Sequence, residues 1–207
     1  APIETMDALL EPHDALARRA AAASAVVLRN EGALPLARES RMALIGAFAE
    51  TPRYQGSGSS LVTPTRLTTA REAFAAAGVE VAYAPGYDLG SSGAGSATDA
   101  ALLAEAVAAA RDAEVAVLMV GLPPTAESEG FDRDTLELPQ QHNAVVRAVA
   151  EVALSTIVVL SLGSPVALPW RDEVDAIVVA HLGGQASGGA VADLLLGEVE
   201  PAGRLTE

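Results

Sequence analysis

The densest group of chemically capable side chains lies in the segment Gly121-Leu122-Pro123-Pro124-Thr125-Ala126-Glu127-Ser128-Glu129-Gly130-Phe131-Asp132-Arg133. It sets Glu127, Glu129 and Asp132 close together, beside the apolar Leu122 and Phe131. Carboxyl groups that crowd one another, or lose water to apolar neighbours, keep their protons to higher pH. A carboxyl protonated near neutrality is what a general acid needs. The same residues also describe a solvated acidic loop with Arg133 paired to Asp132, the commoner fate of such a composition. On residue types alone, Glu127 and Glu129 are equivalent candidates. A divalent metal fits less well, since no His is near and the spacing of a Ca²⁺ loop is absent. Neither a metal nor a cofactor is expected.

A second segment, Arg53-Tyr54-Gln55-Gly56-Ser57-Gly58-Ser59-Ser60, has the glycines and serines of an anion cradle. A phosphate loop needs Gly-Lys-Ser or Gly-Lys-Thr, however, and the chain contains no Lys; Gly-x-Gly-x-x-Gly is missing here too. The plainer reading is a tight turn that lets backbone approach another surface. His13, His142 and His181 are far apart in sequence, and no Ser-His-Asp set can be assigned from them. Trp170, after Pro169, could face a sugar ring, but partly buried packing is the more frequent role of a lone Trp.

Composition narrows the function classes. Against 27 Asp plus Glu stand 13 cations, all Arg, for a net charge of −14 over 207 residues. Such a charge repels nucleic-acid backbones and anionic lipid heads, so neither is expected as a partner. With 0 Cys there is no disulfide, thiolate nucleophile or Cys-bound metal. Half of the residues are apolar, ample for one core, yet aromatics make up only 3%, so that core is built from Ala, Val, Leu and Ile. Val152 to Trp170 is long and uncharged, but Gly163, Pro165 and Pro169 break it into a strand and a turn. The N-terminus has no charged region followed by an apolar one, which favours the cytoplasm and leaves secretion open. A start at Ala1 without Met suggests a piece of a longer chain.

The elements that must position these loops follow from periodicity. Ala8 to Ser24 reads as a helix, and Val26 to Leu36 as a connecting arm punctuated as a loop. Strands are expected at Met42 to Phe48, Val79 to Ala84, Val115 to Val120, Thr156 to Leu162 and Asp175 to His181. Helices are expected at Thr65 to Ala77, Asp99 to Asp112, Pro139 to about Val152, and Ala190 to Leu196, with a flexible surface loop from Pro85 to Ala97. Alternation of this kind predicts a three-layer α/β/α sandwich around a mostly parallel sheet. In such a sheet the loops at 53–60, 121–133, 163–170 and 183–189 leave the strands on one edge, where ligands usually bind.

Several strings then coincide. Ala22-Ala23-Ser24-Ala25-Val26-Val27-Leu28-Arg29-Asn30-Glu31-Gly32-Ala33-Leu34-Pro35-Leu36 resembles the junction before the second domain of glycoside hydrolase family 3. The later motifs keep that family's order: Tyr54 to Ser60, Glu127 to Arg133, Leu136-Glu137-Leu138-Pro139 with Gln141, Gly163-Ser164-Pro165-Val166 with Pro169-Trp170, Gly183-Gly184-Gln185, and Pro201 to Leu205. The resemblance implies residues 1–37 as a helical arm from an upstream (β/α)8 barrel and residues 38–207 as an approximately six-stranded sandwich. It further implies a retaining exo-β-glycosidase, chiefly a β-glucosidase acting on a β-glucoside or oligosaccharide, whose Asp nucleophile lies in the barrel. Glu129, directly before Gly130, then matches the general acid/base, and Tyr54, Gln55, Ser57, Phe131 and Arg133 border substrate or the barrel interface. By the same reasoning this chain alone is inactive, and the face left by the barrel makes self-association plausible. The competing reading is a stand-alone, flavodoxin-like module binding a small ligand at its Gly-Ser loop, which leaves the Glu-Ser-Glu-Gly-Phe-Asp-Arg segment without a purpose.

Overall fold

The computed structural model describes residues 3–90 and 97–205. In chain order the elements are α1 (Ile3–Ser24), β1 (Val26–Asn30), β2 (Met42–Ile45), α2 (Ala70–Ala76), β3 (Val81–Ala84), α3 (Ala97–Arg111), β4 (Val115–Gly121), α4 (Gln140–Ala150), β5 (Thr156–Ser161), β6 (Ala176–Val179) and α5 (Ser187–Leu195). One 6-stranded sheet has the order β1-β6-β5-β4-β2-β3. All neighbouring pairs are parallel except β1 with β6.

The strand sequences explain their places. Val115-Ala-Val-Leu-Met-Val-Gly121 and Thr156-Ile-Val-Val-Leu-Ser161 are continuous apolar runs without alternation, as expected where helices cover both faces of a parallel sheet. They lie at its centre, with β5 buried throughout and β4 buried beyond its first residue. At the margins, β1 and β3 are only partly buried. Helices α1, α5 and α2 form one outer layer and α3 and α4 the other. Arg18 fixes α1 to α5 through a two-pronged pair with Asp193 at 2.6 and 2.7 Å. Trp170 is fully buried and donates its indole N–H to Asn143 at 2.8 Å, so it faces no ligand.

The chain leaves β2 to form β3 on one side, then returns to form β4 on the other. The direction of winding therefore reverses between β2 and β4, the position in such a sheet where ligands usually bind. The ends of β4 and β5 approach closely. A Cβ on Gly121 would lie 1.8 Å from the Ser161 carbonyl oxygen of β5, so only glycine fits there.

Several local expectations change: α1 begins at Ile3 rather than Ala8, β2 ends at Ile45 rather than Phe48, and α5 begins at Ser187 rather than Ala190. Val26–Asn30, expected as loop, is an edge strand, because its backbone finds β6 as a partner that no local pattern announces. Helix α2 starts at Ala70 rather than Thr65: Thr69 and Glu72 form a reciprocal capping box that sets its first turn. The expected flexible loop at 85–97 is anchored at its start by Tyr87, which is 1% exposed; residues 91–96 of it lie outside the described residues. The Tyr87 hydroxyl donates to the Met119 carbonyl at 2.6 Å and accepts from the Phe48 amide at 3.2 Å. Val152 to Trp170 resolves into β5 and a following turn, and no helix among the described residues is long and apolar enough to cross a membrane.

Candidate active site

The loops after β2, β4, β5 and β6 meet at the carboxyl edge of the sheet. The Gly184 amide donates to the Tyr54 carbonyl at 2.8 Å, and the Ala167 amide to the Leu136 carbonyl at 2.8 Å. Beneath the junction sits Arg53, 6% exposed, on the loop after β2. Its Nε donates to the Leu122 carbonyl at 3.0 Å, its Nη1 to Ser57 Oγ at 2.7 Å, and its Nη2 to the Glu127 carbonyl at 2.8 Å. Burial pulls its guanidinium below the usual range, opposed by the Glu127 charge. The guanidinium nonetheless stays protonated.

Glu127 and Glu129 separate in space. The Glu127 carboxylate, its side chain 18% exposed, is 3.7 Å from Arg53 Nη2. It accepts from the Gly163 amide at 3.0 Å and from the Ser164 hydroxyl, so it ties the loop after β4 to the loop after β5. Glu129 is exposed. Its Oε2 accepts from the Ser59 amide at 2.7 Å and from the Ser59 hydroxyl, while its own amide points to the Ser57 carbonyl at 3.4 Å. Hydroxyl first and amide second, these donors hold the Glu129 carboxyl below its ordinary range. That direction is opposite to the elevation expected from crowding, because the carboxyl is exposed and the Ser59 donors outweigh its desolvation.

The Gly-Ser loop is therefore an anion cradle whose anion is part of the protein. Gly58 has φ +92°, and a Cβ there would lie 2.6 Å from Glu129 Cβ. This is the close backbone approach expected of the turn, with the side chain of Glu129 as the surface approached. Gln55 shapes the same loop, its amide bonding the Val62 carbonyl at 2.9 Å and its oxygen accepting from the Val62 amide at 3.0 Å. It also donates to the Tyr54 hydroxyl at 2.8 Å. Leu61, Val62 and Phe131 are left 61%, 66% and 50% exposed on the segments flanking Glu129.

Arg133 does not pair with Asp132 among the described residues; it donates to the Pro165 carbonyl at 2.6 Å, and its buried Nη1 has no hydrogen-bond partner there. His142, buried under the loop root, accepts the Gly121 amide on Nδ1 at 3.3 Å and packs against Tyr87 with ring centres 3.9 Å apart. Burial pushes it down to about 4. His181 lies elsewhere on the same edge with φ +55°. No group of three or more His, Cys, Asp or Glu among the described residues could hold a metal ion. Arg53, Ser59 and Ser164 carry no individual role in the sequence reading. Their sequence signal is their place in the quoted segments: Arg53 and Ser59 in the Gly-Ser loop, Ser164 in Gly163-Ser164-Pro165-Val166.

The model of the glycosyl hydrolase family 3 C-terminal domain matches residues 25–207. The chain belongs to that family. This family 3 domain is 50% identical over 201 residues to thermostable β-glucosidase B of Acetivibrio thermocellus, covering 95% of this chain and 26% of that protein. It is 40% identical over 209 residues to an exo-α-(1→6)-L-arabinopyranosidase of Bifidobacterium longum, covering 96% of this chain and 27% of the relative. The crystal structure of a Bifidobacterium adolescentis family 3 β-glucosidase superposes with TM-score 0.86 at 45% identity, over 93% of this chain and 28% of that one. The chain thus spans about a quarter of the length of these relatives, as a C-terminal domain of β-glucosidase-like hydrolases.

Proposed function

We propose that this domain supplies Glu129 as the general acid/base of a retaining exo-β-glycosidase, in first place a β-glucosidase removing terminal non-reducing β-D-glucosyl residues. An upstream (β/α)8 barrel in the same polypeptide supplies the Asp nucleophile and most of the glycone pocket. The observation that carries the reading is the division of labour between the two glutamates: Glu127 is consumed by Arg53, Gly163 and Ser164, while Glu129 is presented to solvent where four loops meet. The family match over residues 25–207 and the 50% identity to a β-glucosidase support it. The similarly matched arabinopyranosidase supports placing the choice of sugar outside this domain.

A retaining mechanism needs one carboxylate to attack the anomeric carbon and one carboxylic acid, about 5 Å away, to protonate the leaving oxygen. Glu129 performs the second task, then accepts a proton from the water that cleaves the glycosyl-enzyme. Its ionised state on Ser59 suits the second half. The first half requires a proton, and two influences favour proton uptake when the domains close: loss of water around the carboxyl and the charge of the nearby nucleophile. Phe131, with Tyr54, Gln55 and Ser57 on the facing loop, borders the aglycone side or the barrel, and Arg133 fixes the end of the Glu129 loop on Pro165. Without the barrel, the isolated domain hydrolyses no aryl β-glucoside.

The test is Glu129→Gln in the full-length enzyme. Substrates with poor leaving groups should lose about 10²-fold to 10⁴-fold in rate, activated aryl glycosides far less. Added azide should restore turnover as the β-glycosyl azide, since it attacks without a general base. Glu127→Gln keeps the Glu129 carboxylate and should show no azide rescue. Azide rescue in Glu127→Gln with a near-normal Glu129→Gln would overturn the assignment.

A further inference from the structure

We propose that Arg53 is a positioning residue for Glu129, setting the place of that carboxylate through Ser57 on one side and Glu127 on the other. The inference rests on Glu129 being the acid/base. Each nitrogen of the guanidinium meets a different acceptor, and all three acceptors lie on the two segments that hold Glu129: Ser57 Oγ at 2.7 Å, the Glu127 carbonyl at 2.8 Å and the Leu122 carbonyl at 3.0 Å. Ser57 lies two residues before Ser59, which grips the Glu129 carboxylate, and its carbonyl faces the Glu129 amide at 3.4 Å. Glu127 lies two residues before Glu129 on the other loop of the junction and adds an ion pair to Arg53 at 3.7 Å.

The energetics favour geometry over stability as the reason for this arrangement. A charge buried as deeply as Arg53 pays a desolvation cost that its ion pair offsets only in part, and apolar side chains of similar volume commonly stabilise a fold as well or better. What apolar side chains cannot do is fix the distance between two loops. Lys would carry the charge as a single point and could not reach all three acceptors in one plane. Arg53 is thus a strut whose length sets where Ser59 and Glu129 meet. General acid catalysis is sensitive to such placement, since a misplacement of about 1 Å can cost on the order of 10²-fold in rate.

The experiment compares Arg53→Lys and Ser57→Ala with Glu129→Gln in the full-length enzyme, over aryl and alkyl β-glycosides of graded leaving-group ability. Ser57 is only partly buried and its hydroxyl serves Arg53, so its replacement tests the strut without removing a core group. Expected are losses in kcat/KM of about 10-fold to 10²-fold for poor leaving groups in Arg53→Lys, smaller in Ser57→Ala, with activated leaving groups nearly unaffected. Azide should rescue neither, because the Glu129 carboxylate is still present. A merely structural role would instead lower all substrates alike or lower only the melting temperature, and either result overturns the proposal. If Arg53→Lys fails to fold, Ser57→Ala decides. Should Glu129→Gln itself lack leaving-group dependence, the acid/base reading fails and the strut with it. Where Glu129→Gln shows that dependence and Ser57→Ala and Arg53→Lys do not, the strut alone is refuted.

Discussion

Glu127 and Glu129 leave one loop two residues apart and finish in opposite surroundings. The Glu127 side of the loop faces inward, where its carboxylate meets a buried guanidinium, a backbone amide and a hydroxyl from two other loops. The Glu129 side faces outward and is held by one residue, Ser59, through its amide and hydroxyl. Residue type, spacing and local charge are alike for both, so the difference arises from what the sheet brings beneath the loop. The inner carboxylate joins loops and the outer one remains available for proton transfer. The two should therefore fail differently when altered.

The largest contrast is in stability. Glu127→Ala strands the buried charge of Arg53 and two donors of the loop after β5, which should cost about 3 kcal/mol. For a domain of this size that lowers the melting temperature by about 6–12 °C. Glu129→Ala removes an exposed group held only by Ser59 and should lower the melting temperature far less. Thermal unfolding of the two variants side by side checks this, and equal melting temperatures would dissolve the distinction between the inner and outer carboxylates.

The root of the loop supplies a smaller effect with a pH signature. His142 accepts the Gly121 amide and is held neutral by burial, down to about 4, whereas in the unfolded chain it titrates near ~6.5. Because the native pKa is depressed, the unfolded chain binds more protons below ~6.5, and the stability contributed by the neutral ring is lost as pH falls from there toward 4. Between pH 7 and 5 the loss should be about 2 kcal/mol. His142→Phe leaves the Gly121 amide unpaired at a roughly fixed cost, but it should remove this slope. Urea unfolding at several pH values distinguishes a lower, flat profile from a parallel one, and a parallel profile would exonerate His142.

The contrast between these regions also marks where sequence reading ends. Strands β4 and β5 are legible because both faces are buried, so each is one unbroken apolar run. The meeting of the loops after β2, β4, β5 and β6 follows from that parallel sheet. Strand β1 is not legible: Val27 and Leu28 are partly exposed on an edge, and the segment becomes a strand only because β6 lies beside it. Tyr87 lies in the segment that reads as a flexible surface loop, yet its hydroxyl is placed by Met119 and Phe48, remote in sequence. Arg53 is invisible for the same reason, its acceptors at Leu122 and Glu127 lying 69 and 74 residues away. The resemblance to family 3 singled out Glu129, while local chemistry left it level with Glu127. Long-range hydrogen bonds, which no local pattern encodes, are what separate the two.

The finest test of the comparison uses the two serines that serve the two carboxylates. Ser164 donates its hydroxyl to Glu127, and Ser59 donates its hydroxyl to Glu129. Ser164→Ala weakens the inner junction and should cost about 1 kcal/mol of stability while leaving the titration of Glu129 where it is. Ser59→Ala removes the main influence holding the Glu129 carboxyl down, but the amide of residue 59 still donates, so the pKa should rise and stop short of the ordinary value. The sign carries into catalysis. In the proposed acid/base role Glu129 would have to be protonated to expel the leaving group, so a higher pKa would extend the acid form, and the basic limb of kcat/KM for poor leaving groups should move to higher pH. The base step should weaken in parallel for substrates limited by hydrolysis of the glycosyl-enzyme. Carboxyl ¹³C titration of Glu129 in the domain, compared with the pH–rate profile of the full-length enzyme, measures both ends of this link. If Ser164→Ala moves the Glu129 titration as far as Ser59→Ala does, the inner and outer halves of the loop are one electrostatic unit rather than two.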